Sequence, residues 1–286
     1  MERELYEFVV KQFGQPACDR IERRNRGGLA NEKGADYEDS YAVFSIARYG
    51  RDVLRDNNIV EIRSQMLQFV DDLVIYDVSN DERRSFQLKN VAALTWRDIA
   101  DDFRRQHRID TEYFLCRKSV TGLVLSSSEL CGRLQDSMPE DLVKHEDRPA
   151  HSKCIHFPAF SVNRMLMEHS EFREAIASLC VFPDREDCLY VVHSVLMGVW
   201  KNNKNQLFNV RDFIFEAHRC ANPNYFRLPE VVECELDVRL RQVLDNYANM
   251  AYEIRGGHLT IKWRDILTIS PPQMIDSPDF AVIVSE

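Results

Sequence analysis

The chain has 286 residues, of which 44% are hydrophobic and 29% charged, with only 10 Gly and 10 Pro. That balance excludes a disordered or collagen-like chain and leaves room for a sizeable buried core, in one large domain or two smaller ones. The formal net charge of −9 argues against a chain that binds polyanions over its whole surface. The charge is uneven: residues 1–126 carry 20 Lys and Arg against 22 Asp and Glu, and residues 127–286 carry 17 against 24. No apolar run is long enough to span a bilayer, and Met1-Glu-Arg-Glu-Leu5 lacks a signal-peptide pattern, so a cytoplasmic location without membrane contact is expected. The eight cysteines are scattered without a CxxC pair, which points to reduced thiols. His151, Cys154 and His156 are the one compact His/Cys group, and zinc would need a further ligand from elsewhere.

Taken in order, Glu2 to Phe13 places Leu5, Phe8, Val9 and Phe13 at helical spacing, and Gly14 and Pro16 end that helix. Arg20 to Gly34 is charged, contains Gly27-Gly28, and reads as a loop that a ligand could order. Its cluster Arg20, Arg23, Arg24 and Arg26 suits phosphate contacts or, equally, a solvated loop. Gly34-Ala-Asp-Tyr-Glu38 opens a second helix, with Tyr37, Tyr41 and Phe44 on one stripe. Glu38 sits beside that stripe, aimed at a neighbouring sheet or complementing the helix dipole.

Ile59 to Phe69 is a first strand candidate, followed by two strands over Val70 to Asn90 joined by Ser79 to Arg84. Side chains alternate in a strand, so Asp72, Val74 and Tyr76 share one face and Gln87 and Lys89 share a face of the next strand. Leu73, Ile75, Phe86 and Leu88 then face the core. An acid, an amide and an ammonium on one side of a hairpin fit a phosphodiester-cleaving site, where carboxylates hold Mg²⁺ and a lysine offsets developing charge; a solvated hairpin face fits them as well. Thr95 is a plausible N-cap for a helix beginning at Trp96, Thr111 to Arg117 reads as a buried strand, and Gly122 to Leu125 extends the sheet.

Gly34-Ala-Asp-Tyr-Glu38 on a helix, Val-Asp71-Asp72-Leu-Val, then Phe-Gln87-Leu-Lys89-Asn and a helix containing Thr95-Trp96 together resemble the PD-(D/E)xK nuclease superfamily. The closest look is to its restriction-like branch: Mrr-type enzymes and anti-phage effector nucleases such as the CD-NTase-associated endonuclease and the Lamassu nuclease subunit. The resemblance spans about residues 20–126, less than half the chain. It implies an α/β fold, a restriction-endonuclease-like mixed sheet flanked by helices, with Mg²⁺ or Mn²⁺ as cofactor and double-stranded DNA as substrate. It further implies an effector subunit whose partners are other proteins of a defence complex, an ATPase among them. Asp72 would be the main metal ligand, with Asp71 its alternative, and Lys89 would orient the attacking water. Gln87 stands where the family usually has a second acid, so metal affinity would lean on Glu38 and the backbone carbonyl of Leu88.

Beyond residue 126, Ser126-Ser-Ser-Glu129 can cap a short helix and Asp136 to Lys153 reads as a linker. Helical patterns cover Val162 to Leu179, Asp187 to Trp200, Val210 to Cys220 and Val231 to Met250, followed by a hairpin over Tyr252 to Trp263. His193 reads as a hydrogen-bonded core histidine. The expected organisation is a nuclease-like domain over 1–126 and a mostly helical partner-binding or regulatory domain over 127–286.

Overall fold

A computed structural model describes residues 2–28, 32–56, 58–65, 68–143, 151–204, 206–228, 241–242, 244, 251–255, 258–262 and 266–269. Its organising element is α3 (Glu32–Asp56), whose Tyr37, Tyr41 and Phe44 recur at helical spacing and are buried. Against that stripe lies a six-stranded mixed sheet in the order β5-β4-β3-β2-β1-β6. The strands are β1 (Val60–Arg63), β2 (Leu73–Asp77), β3 (Glu82–Lys89), β4 (Lys118–Leu125), β5 (His151–His156) and β6 (Phe208–Asn209). β1 to β3 form an antiparallel meander and β6 adds antiparallel to β1, while β4 runs parallel to both β3 and β5. The α/β class, with a mixed sheet flanked by helices, is as the sequence indicates.

Leu73, Ile75, Phe86 and Leu88 all enter the core beneath α3, as their alternation requires. The opposite face is covered too. Val74 and Gln87 are buried there, and α4 (Trp96–Arg108) packs in a second core that joins Trp96, Ile99 and Phe103 to Leu123 and Leu125 of β4. A third small core packs α1 (Glu2–Phe13) and α2 (Gln15–Gly28) onto Phe69 and Ile109.

Several expectations are corrected. Arg20 to Gly28 is helix, not loop, because Ala17, Cys18 and Ile21 form a buried stripe on α2. The hairpin turn is Val78 to Asp81, and β3 already begins at Glu82. Tyr113 to Cys116 is not a strand: Ile109–Tyr113 forms a π-helical turn, and Leu115 is exposed with φ of 54°. The segment read as a linker holds the end of α5 (Ser128–Asp136), α6 (Glu140–Val143) and the start of β5. His169 splits the helical pattern after residue 160 into α7 (Val162–Glu168) and α8 (Ser170–Ser178), its ring nitrogen accepting from Phe172 N.

α9 (Glu186–Asn203) and α10 (Val210–Cys220) follow, and both pack in the same core as α3. β5 and β6 lie in one sheet with β1 to β4, so neither sheet nor core divides at residue 126. His193 is buried against the Phe172 ring, and among the described residues its Nε2 finds no hydrogen-bond partner. A separate sheet of β7 (Ala251–Arg255), β8 (His258–Lys262) and β9 (Ile266–Ile269) contains the expected hairpin and one further strand. Most of Val231 to Met250, and all residues after 269, lie outside the described residues. Among the described residues no helix is long and apolar enough to cross a membrane.

Candidate active site

Asp72 stands immediately before β2, where the chain turns into the sheet beside the last residues of β3. Its Oδ2 accepts the backbone N–H of Leu88 at 2.7 Å and the side-chain amide of Gln87, and lies 3.5 Å from Lys89 Nζ. These are consecutive residues of β3. Gln87 and Lys89 reach Asp72 from one face of the strand, while the Leu88 N–H reaches it in the plane of the sheet. In an antiparallel ladder the N–H and C=O of a residue leave the strand on the same edge, so the Leu88 carbonyl also faces the β2 side. Asp72 is thus the acid that meets the β3 triplet, as alternation favours; Asp71 is buried beside it.

Glu38 comes to the same place from α3. Burial pushes its carboxyl up to about 7, the negative charge of Asp72 adds to that rise, and Lys89 opposes it. Among the described residues the Glu38 carboxylate has no hydrogen-bond or ion-pair partner, and Asp72 Oδ1 takes no donor. The structure therefore gathers Glu38, Asp72, Gln87, Lys89 and the Leu88 backbone at one end of the β2–β3 ladder. Two carboxylates repelling one another, with a carbonyl on the same strand edge, form an oxygen-rich set of the kind Mg²⁺ or Mn²⁺ takes. Among the described residues no group of three or more His, Cys, Asp or Glu side chains is placed to hold a metal. At this site the anionic donors are two, and Gln87 supplies none. Of the group His151, Cys154 and His156, the His151 side chain lies outside the described residues, and burial pushes the Cys154 thiol up to about 12.

The arginine cluster is redistributed. Arg20 is committed to the buried Asp102 of α4, with Nη2 at 3.0 Å from Oδ2. Arg23, Arg24 and Arg26 lie on α2, and their side chains fall outside the described residues.

Two features escape a reading of the sequence. Trp200 Nε1 on α9 donates to Asp39 Oδ1 at 2.8 Å, and Lys204 Nζ reaches the same carboxylate at 3.1 Å, next to Glu38. Lys204 also accepts, through its backbone oxygen, from Ser64 Oγ at 2.7 Å just after β1. No local signal connects residues so distant in sequence. The second is a buried network under α4. Arg83 Nε lies 3.0 Å from Asp110, whose carboxylate also accepts from Ser119 and Gln106. Burial raises Asp110 to about 6 against the pull of Arg83.

No family model matches the chain, and no curated protein matches it. Among solved structures it is similar to the Acinetobacter baumannii Cap4 SAVED/CARF-domain containing receptor with the cyclic trinucleotide 2'3'3'-cAAA, at 16% identity and a TM-score of 0.42 over 65% of this chain and 45% of that one. The same receptor with 3'3'3'-cAAA gives 16% identity and a TM-score of 0.43, over 64% and 44%. The chain spans less than half the length of that receptor, and a likeness at this TM-score carries no argument about function.

Proposed function

We propose that the chain is a divalent-metal-dependent deoxyribonuclease that hydrolyses phosphodiester bonds in duplex DNA. The observation that supports this reading is the meeting of Glu38 and Asp72 at one point, with Lys89 beside them. A bound Mg²⁺ or Mn²⁺ would lower the pKa of a water and neutralise charge on the phosphoryl oxygens. Glu38, Asp72 Oδ1 and the Leu88 carbonyl would hold it. Gln87 and the Leu88 N–H fix the Asp72 carboxylate through its other oxygen. Lys89 keeps its ammonium within 3.5 Å of that oxygen, where it can turn toward a phosphoryl oxygen gaining negative charge. A role as effector subunit of a bacterial anti-phage defence system, with protein partners and an ATPase among them, rests on the sequence resemblance alone.

The test is cleavage of duplex DNA by the full chain with Mg²⁺, in the presence and absence of its genomic-neighbour proteins. The expected loss for Lys89→Ala is about 10²-fold or more, the scale on which removing one preorganised electrostatic group acts. Equal cleavage by both proteins overturns the reading.

One observation favours a second reading, a binding or assembly subunit that keeps the fold without the chemistry. Asp72 Oδ2 is already satisfied by Gln87, Leu88 and Lys89, so the site needs no cation to hold that oxygen in place. Calorimetric titration with Mn²⁺ separates the two. Binding that Asp72→Ala removes favours the nuclease, and a flat titration of the wild type favours the assembly role.

A further inference from the structure

The end of α9 forms a joint between the two elements that bring the carboxylates together. Trp200, in the last turn of α9, and Lys204, which caps it, are four residues apart and share a helix face. Both reach Asp39 of α3. The Trp200 indole donates to Asp39 Oδ1 at 2.8 Å, and the Lys204 ammonium spans the two carboxylate oxygens at 3.1 and 3.3 Å. Asp39 is 3% exposed, so a buried charge depends on that ammonium.

The main chain of Lys204 holds the sheet. Its carbonyl is one of those that a helix C-terminus leaves without an intrahelical donor, and it accepts from Ser64 Oγ at 2.7 Å and from Ser64 N at 3.3 Å. Ser64 is buried and directly follows β1. Arg63 is the register partner of Val74, so Ser64 stands at the end of the β1–β2 ladder where Asp72 leads into β2. One residue therefore joins the helix that carries Glu38 to the end of the sheet that carries Asp72. Successive helical residues point about 100° apart, so fixing Asp39 against α9 sets the direction in which Glu38 leaves α3. A second tie, Lys201 to Asp36 at 3.0 Å, is exposed on both sides and contributes little. Glu38 itself feels the joint: after burial, Asp72 and Lys89, its carboxyl is raised by Asp39 and lowered by Lys204.

We infer that Lys204 is a positioning residue for the carboxylate pair: its ammonium on Asp39 and its carbonyl on Ser64 set the separation of Glu38 and Asp72 that a divalent ion requires. The purpose of that separation rests on the deoxyribonuclease reading. Lys204 acts through Asp39 and Ser64, and through them α9 becomes part of the site rather than a neighbour of it.

The test compares the full chain with the double variant Asp39→Asn/Lys204→Met. The exchange removes both charges, leaves an amide oxygen for the Trp200 indole, and is of the kind that is often neutral in stability. Mn²⁺ affinity is read by calorimetry, kcat and KM with duplex DNA and Mg²⁺, and amide hydrogen exchange by NMR without divalent ion. The double variant is expected to bind Mn²⁺ about tenfold or more weakly, the scale on which groups that orient metal ligands act. It should lose kcat with KM for duplex unchanged, and the amides of residues 37–41 should exchange faster while those of β4 do not. Ser64→Ala opens the other end of the joint without touching a charge. It should weaken Mn²⁺ binding in the same direction and speed exchange of the Leu88 N–H that Asp72 accepts.

Wild-type Mn²⁺ affinity and exchange in the double variant overturn the proposal, and where that variant does not fold, the same result in Ser64→Ala does so. Faster exchange throughout the sheet also overturns it, since that marks a general loss of stability. A wild type that binds no Mn²⁺ and never cleaves removes the deoxyribonuclease reading. Faster exchange confined to α3 and Leu88 in the variants then still supports the joint, and unchanged exchange overturns it. Mn²⁺ binding lost in Asp72→Ala but kept in the double variant and in Ser64→Ala leaves the nuclease reading standing and overturns the role of Lys204.

Discussion

Glu38 carries the strongest pH signature near the carboxylate pair. Its folded-state pKa of about 7 lies above the ordinary value of 4.5, first through burial and then through Asp72. Below pH 4.5 the carboxyl is neutral in both folded and unfolded chains. Between 4.5 and about 7 the folded chain keeps a proton that the unfolded chain has released, so stability falls as pH rises through this window. Asp110, raised to about 6, contributes with the same sign. The readout is therefore the difference between wild type and Glu38→Gln. Without divalent ion, the wild type should lose about 1–2 kcal/mol more than the variant between pH 5 and pH 8, once the partial exposure of the carboxyl is allowed for. Denaturant melts at the two pH values check this, and equal losses would show that Glu38 ionises freely. On the deoxyribonuclease reading a divalent cation would bind the deprotonated carboxylate, so in the wild type stabilisation by Mn²⁺ should grow over the same window.

At the scale of elements, β3 and β4 are held together by a missing side chain. Gly122 is the register partner of Phe86, and a Cβ at Gly122 would run into the Phe86 ring, which is buried under α3 among Tyr41 and Leu88. Gly122→Ala should cost about 1–3 kcal/mol by overpacking, visible as a lower denaturation midpoint with an unchanged slope. A neutral substitution would mean that the ring has room to move. Elements like these were partly legible in the sequence. The alternation in 72–76 and 86–89 gave the correct faces of β2 and β3, and Thr95 does begin α4, with its N–H and hydroxyl both donating to Asp98. The errors have physical causes. Charge in 20–28 concealed the narrow stripe of Ala17, Cys18 and Ile21, because a helix needs only one apolar face. The aromatic run at 113–116 has strand propensity, but Asp110 must turn inward to meet Arg83, and the Arg83 guanidinium stacks 4.0 Å from the Phe114 ring. An interaction between residues far apart in sequence outweighs local preference there.

For the whole molecule, the division expected at residue 126 meets a core that ignores it. One face of α3 packs against Leu73, Ile75 and Phe86 of the sheet, and in the same cluster lie Phe172 of α8, Leu189, Val192 and Leu196 of α9, and Phe213 of α10. β5 flanks β4 on one side of the sheet, and β6 flanks β1 on the other. The carboxylate pair is tied to the later half as well, through Trp200 and Lys204 on Asp39. The sequence could not show this, since hydrophobic periodicity reveals that a helix has an apolar face but not which partner covers it. A fragment of residues 1–126 would expose both the buried flank of α3 and two strand edges, conditions that favour aggregation over a unique fold. Burial of each large apolar side chain contributes about 1.5–3 kcal/mol, so uncovering only Phe172, Leu189, Val192, Leu196 and Phe213 removes a sum comparable to the whole stability of a typical domain. The fragment should therefore give no cooperative thermal transition by circular dichroism, whereas residues 1–228 should melt as one unit. A fragment of 1–126 that melts sharply and binds Mn²⁺ through Asp72 would show instead that the later helices are an attachment, and that the ties from α9 to Asp39 are not needed to hold Glu38 against Asp72.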